Sequence, residues 1–303
     1  MHPILDSFFR FRRRPPAAYL LAAIVAVGLA VGLWQTSAAE SVPFSQLARQ
    51  THIHGIAVDR QDPSVLILAT HHGVWRLEED GTARLISDNR NDYMGFTPHP
   101  ADPETFFASG HPETGGNMGF IVSRDGGRSW DQLSEGARGP VDFHAMDVSA
   151  ADPDVVYGLY GGVQVSRDGG ETWEMRAGPP ADTFALAASS VDPDTVYAAT
   201  RDGAMVSRDG ALSWQRAHPA RQPASLVETA PGGAVFAFVV GEGLVRAEEP
   251  QLSWQRLSNE FGEDFPLHLA VDPTDPERLY AVTRSGAVLA SVDGGRSWRP
   301  FGT

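Results

Sequence analysis

The chain has 303 residues, 42% of them hydrophobic, with 31 glycines, 22 prolines and a formal net charge of −14; this is the composition of a globular protein rich in turns and short strands. It contains no cysteine, which excludes disulfides, thiolate metal sites and a cysteine nucleophile. All of its basic residues are arginine, which excludes Schiff-base chemistry, and the acidic balance argues against a nucleic-acid partner.

In chain order, residues 1–16 form a basic N-terminus carrying Arg10, Arg12, Arg13 and Arg14. Residues 17–34 follow as an uncharged apolar run, long enough to cross a bilayer. The basic flank predicts a cytoplasmic N-terminus with the rest of the chain outside, periplasmic or extracellular. The small residues around Ser37 and Ala39 also fit a cleavable secretory signal, in which case the protein is secreted. Residues 35–42 are a linker. Either reading exports an acidic domain over residues 43–303 and makes the membrane a partner of any uncleaved segment.

That domain is repetitive, with a period that defines its architecture. SRDGGRSW (123–130), SRDGGETW (166–173), SRDGALSW (207–214) and SVDGGRSW (291–298) recur, with a worn copy AEEPQLSW at 247–254. Trp130, Trp173, Trp214, Trp254 and Trp298 are about 40 to 44 residues apart, the length of a four-stranded propeller blade. In each motif the Asp-Gly pair supplies a tight hairpin, the aspartate (Asp125, Asp168, Asp209, Asp293) can accept from turn N–H groups, and the tryptophan packs between sheets. A second repeat, Asp-Pro before an apolar strand, runs in phase with the first. Together they predict an all-β, six-bladed β-propeller with blades starting near His52, Asp92, Asp142, Asp182, Ser225 and Phe265; seven blades follow if one boundary is displaced. The segment VPFSQLARQ, before blade 1, is predicted as an outermost strand supplied by the N-terminus.

The S-x-D-G-G-x-[ST]-W motif resembles the Asp-box, or BNR repeat, of sialidases, sortilin-type receptors and photosystem II assembly factor propellers. The resemblance covers nearly all of residues 43–303 and extends to bacterial Asp-box proteins labelled as glycosyl hydrolases. It implies the fold, and for function three classes: a sialidase-like hydrolase, a receptor-like binder of a glycan or protein, or a scaffold for assembling a membrane complex. A sialidase mechanism needs three arginines around a carboxylate and a tyrosine nucleophile, and the arginine triad is not found in the innermost strands. Only Arg201 and Arg284 fall on the predicted face, and Tyr93 is the one tyrosine predicted near the channel. For generic glycoside hydrolysis, Asp92 and Asp142 start consecutive blades and are the candidate acid/base pair, although turn-capping accounts for them as well.

Aligning the blades on Asp-Pro places His54, Met94, His144, Phe184 and Leu267 at one position of the innermost strands, and His52, Asp92 and Asp142 two residues earlier. Strand alternation points both positions to one side. The second strand of each blade returns to the same rim and ends at His71, His111, Gly161, Arg201 and Arg284. Blades 1 to 3 therefore gather His52, His54, His71, His111, His144 and Met94 at one channel mouth, a set suited to a transition metal such as zinc or, through the methionine, copper. A wet channel also needs polar lining with no ligand, so both accounts stand. His99, His218 and His268 are predicted to be structural.

Overall fold

The computed structural model describes residues 40–178 and 181–303. The apolar run predicted over 17–34 lies outside the described residues; among those described, no helix is long and apolar enough to cross a membrane. The remainder is six antiparallel sheets, five of four strands and one of five, each built from consecutive strands. The innermost strands are Ile53–Val58, Asp92–Pro98, Ala145–Val148, Thr183–Ala188, Ala224–Ala230 and Pro266–Asp272. Each contacts its neighbours on both sides, and the last contacts the first, so the six blades close into a ring.

Strand alternation builds the interior. On the second strand of blade 1, Leu66 and Leu68 enter the cluster shared with blade 6, whereas Ile67 and Ala69 enter the cluster shared with blade 2. Every strand of this kind is buried on both faces, which is why these segments read as short apolar runs. The four Asp-boxes form the hairpins between third and fourth strands with the same bonds. Ser123, Ser166, Ser207 and Ser291 donate to Oδ1 of Asp125, Asp168, Asp209 and Asp293 at 2.8 Å. The Ser or Thr four residues after each aspartate donates to its Oδ2 at 2.6 Å. Side-chain and backbone donors from Ser213 hold Asp209 down to about 2. Trp130, Trp173 and Trp298 donate to a backbone carbonyl of their own hairpin, but Trp214 reaches Ala177 in the preceding blade.

The N-terminal segment departs from expectation. Only Ser41–Pro43 is a strand, pairing antiparallel with Thr82–Leu85 as a fifth strand of blade 1; Phe44–Gln50 is a helix, α1. Phe44 and Leu47, three residues apart, fall on one helical face and bury against Trp75, Tyr280 and Phe301 between blades 1 and 6. Burying two such side chains contributes about 1.5–3 kcal/mol each, and it closes the ring where a single extended strand would bury only alternate residues. Glu40, where the described chain enters the propeller, is bonded through its carbonyl to Leu85 and paired with Arg90.

Candidate metal centre at the channel mouth

One rim of the channel is built from the start of each innermost strand and the end of the second strand beside it. The same backbone bond recurs there: the N–H of His71, Arg201 and Arg284 donates to the carbonyl of His52, Asp182 and Phe265. In blade 2 Asp92 is in register with His111. The rim positions read from the repeats are met in blades 1, 2, 4 and 6, whereas in blade 3 the second strand ends at Leu159, ahead of Gly161; adjacent blades bring rim side chains together.

On blades 1 and 2, His71 Nδ1 lies 2.8 Å from Asp92 Oδ2, and His54 Nε2 lies 3.1 Å from His71 Nε2 and 3.2 Å from its Nδ1. Asp92 Oδ1 is 4.0 Å from His54 Nε2, is buried and has no hydrogen-bond partner. His54, His71 and Asp92 can each offer one ligand atom with all three within 4.8 Å of one another. His71 Nδ1, which faces Asp92 Oδ2 and also lies 3.2 Å from His54 Nε2, is the ring nitrogen on the same side as both partners and is therefore the one placed to ligate together with them. His54 Nε2, almost equidistant from both ring nitrogens of His71, is not aligned on a single lone pair, so that contact is a poor hydrogen bond. Burial, reinforced by the neighbouring His71, lowers the His54 pKa to about 4, so its imidazole is neutral at pH 7. The 3.2 Å between His54 Nε2 and His71 Nδ1 is what two metal–nitrogen bonds of about 2.0–2.1 Å subtend at roughly 100°.

On blades 2 and 3, Asp142 is buried, and its Oδ2 lies 3.0 Å from His111 Nε2 and 2.7 Å from His144 Nε2. His111 Nδ1 is 2.8 Å from the carbonyl of Gly116. That carbonyl, then the charges of Asp142 and Asp92, hold the His111 pKa above its ordinary value against the effect of burial. Both aspartates considered for acid/base catalysis are thus engaged with imidazoles.

Other expectations shift in place. Met94 does not reach the channel lining: a bulge between Met94 and Thr97 puts Gly95 there, and no hydrogen bond links the Met94 sulfur to the imidazoles among the described residues. Gly95 has φ +55°, and a Cβ at this position would stand 2.4 Å from the Phe143 carbonyl oxygen. His52 is exposed with its ring 5.5 Å from that of His71. Tyr93, expected near the channel, is fully buried between blades 1 and 2 against Trp130. His99 accepts from the N–H groups of Ala101 and Asp102, and His218 packs on Trp254, both structural as expected. Arg201 pairs with Asp182, and Arg284 lies over the Phe265 ring.

His268, predicted to face away, instead lines the channel with His54, His144 and Phe184, and burial lowers its pKa to about 4. Two acids escaped the sequence reading. Asp147 accepts from Thr97 Oγ1, Val148 N and Ala188 N, and burial nevertheless raises its pKa to about 6. Glu228 lines the channel from both ends and is raised well above the ordinary range by burial and then by Asp147. A register shift between Pro266 and His268 turns His268 inward, and no residue pattern in the sequence marks that shift.

A model of the BNR/Asp-box repeat matches residues 164–175, the hairpin of blade 3. No curated protein matches the chain at a significant level. Among solved structures, it is similar to the GH74 xyloglucanase from Xanthomonas campestris, with a TM-score of 0.55 and 18% identity over 82% of this chain and 45% of that one. It is also similar to the gluconolactonase XC5397 from Xanthomonas campestris, with a TM-score of 0.56 and 16% identity over 80% and 86%. YCF48 bound to a D1 peptide gives a TM-score of 0.52 and 16% identity over 86% and 84%. The chain spans less than half the length of the GH74 structures it matches. At these identities the likeness is one of fold. The chain is a six-bladed β-propeller built on BNR/Asp-box repeats.

Proposed function

We propose that the protein is a membrane-tethered, extracytoplasmic propeller that binds a divalent transition metal at its channel mouth through His54, His71 and Asp92, in metal handling or in the assembly of a membrane complex. The observation that carries this reading is the buried, unpartnered Oδ1 of Asp92 beside the imidazole nitrogens His54 Nε2 and His71 Nδ1, 3.2 Å apart. Two imidazoles and a carboxylate suit Zn(II) or Cu(II), and without a methionine sulfur at the cluster the set is not biased to Cu(I). The tether and the compartment rest on the apolar run and its basic flank. The peptide in the YCF48 structure lends support to a protein partner.

The test is titration of Zn(II) and Cu(II) into the full-length, chelator-treated protein in detergent, alongside His54→Ala, His71→Ala and Asp92→Asn. Wild type should bind at micromolar metal or tighter. Asp92→Asn, which removes the carboxylate ligand, should lose at least about 10–100-fold in affinity. Absence of binding by wild type, or equal binding by all three variants, refutes the reading.

A further inference from the structure

We propose that the end of the channel away from the histidine rim is a binding site for a small alkylammonium ligand, with the carboxyl of Glu228 receiving the ammonium group and apolar side chains around it receiving the alkyl chain. The site shares no residue with the metal centre on blades 1 and 2 and does not depend on that centre being occupied.

Glu228 stands at a position that every innermost strand possesses. It is in register with Phe236 on the second strand of blade 5, and the residues in register with the corresponding Ile67, Phe107, Tyr157, Tyr197 and Tyr280 are Ala57, Thr97, Asp147, Ala187 and Ala270. Three blades use alanine there, and three place a polar group. Two of the polar groups are taken up by the fold. Thr97 donates to Asp147 at 2.9 Å, and Asp147 also accepts from the backbone N–H groups of Val148 and Ala188 at 2.8 Å, which ties blades 2, 3 and 4 together. The Glu228 carboxyl, by contrast, has no hydrogen-bond or ion-pair partner among the described residues.

The space beside Glu228 suits an organic cation. A cavity of about 170 Å³ opens there, walled by Ile56, Phe96, Met146, Leu186 and Leu269, with Asp147 and Glu228 as its acids. An apolar cavity of about that size holds a molecule with the dimensions of benzene. The one basic residue on its wall, Arg60, donates to the carbonyl of Pro100 and pairs with neither acid. The cavity therefore holds two acids and no counter-charge. No imidazole lines this end, and Asp147 already serves three donors, so the set is not one for a transition metal. An ammonium on a short alkyl chain donates to the free carboxyl, supplies the missing charge and covers the apolar wall.

Hydration of Glu228 by channel water alone is the competing account, and it predicts no preference between an amine and an alcohol of equal length. The ammonium has two sources, a free amine or a lysine side chain of a protein partner reaching in from the rim formed by Pro98, Pro100, Pro231 and Pro273. Both present the same group to Glu228, and they are told apart by whether the chain carries a peptide backbone.

Isothermal titration calorimetry on the full-length protein in detergent, with chelator present, tests the proposal with n-butylammonium, n-butanol and butanoate. Wild type should bind butylammonium with a Kd of about 1 mM or tighter. Butanol should bind at least about 10-fold more weakly, and butanoate should not bind. Glu228→Gln should lose about 10-fold or more for butylammonium while binding butanol as wild type does. Glu228→Asp, which keeps the charge and shortens its reach, should fall between the two, and it carries the decision if the glutamine variant does not fold. No binding of butylammonium by wild type, equal binding of butylammonium and butanol, or butylammonium binding unchanged in the Glu228 variants overturns the proposal. With the site established, tighter binding of Nα-acetyl-lysine methylamide than of butylammonium assigns it to a lysine side chain, and the reverse order assigns it to a free amine.

Discussion

His268 should make the propeller sensitive to mild acid, with a sign and size that follow from its position in the channel. Its ring lines the channel with His54, and burial lowers its pKa from 6.5 to about 4. A depressed histidine pKa means that the unfolded chain takes up the proton first, so the contribution to stability is present above pH 6.5 and is lost as pH falls from 6.5 toward 4. Between pH 7 and pH 5 the unfolded residue becomes almost fully charged while the folded one stays neutral. Linkage gives a loss of about 2 kcal/mol over that interval. This is an upper figure, because the ring keeps contact with channel water.

His54 is shifted in the same direction and Asp147 and Glu228 in the opposite one. The total slope is therefore not diagnostic, and the comparison must be with a variant. His268→Gln keeps a donor and cannot titrate. Urea unfolding at pH 7 and pH 5, with chelator present, should show the wild type losing about 2 kcal/mol more than the variant over this interval. Equal losses in the two proteins would mean that His268 is charged in the fold, and the account of the channel as a desolvating environment would fail.

Three further outcomes are expected. Gly95→Ala, at φ +55° with the new Cβ 2.4 Å from the Phe143 oxygen, should cost at least about 1–3 kcal/mol in backbone strain, read as a lower thermal midpoint; an unchanged midpoint refutes the bulge geometry. Asp209→Ala removes the acceptor shared by Ser207 and Ser213 and should lower the midpoint of a urea melt, so an unchanged midpoint would mean that the hairpin holds without its aspartate. Glu228→Gln replaces a carboxyl whose ionisation burial opposes and should be tolerated at pH 7, whereas Asp147→Asn gives up an acceptor oxygen that serves Ala188 or Thr97 and should be clearly destabilised. If Glu228→Gln unfolds the protein, Glu228 is ionised and paired.

The blades were legible because their punctuation is chemical: Asp-Pro, Asp-Gly and a buried tryptophan each demand a particular turn or packing partner. The same phase located His54, His71, His111 and His144 on one rim. What it could not supply was register within a strand. A single bulge exchanges Met94 for Gly95 at the channel lining, and His268 reaches the channel from a position that simple alternation assigns to the other face. Helix α1 was hidden for a related reason, since the seven residues Phe44–Gln50 hold only two buried apolar side chains, too few for a period to be read.

The rim also bears on whether its histidines are merely polar lining. Blades 1, 4, 5 and 6 make the rim with backbone bonds of one kind, and the side chains at those positions contribute little to them. Blades 4 and 6 satisfy the same backbone with Asp182 and Arg201 in an ion pair, and with Phe265 under Arg284. These arrangements leave no buried oxygen unpartnered. Blades 1 to 3 instead surround two inward carboxylates with four imidazoles and leave one oxygen of each carboxylate without a partner. A fold that needed only a wet channel had a cheaper solution available, and it used that solution on its other half. The unpartnered carboxylate oxygen beside His54 and His71 is what favours the proposed cation over a merely wet channel, and the metal titration is the measurement that decides between them.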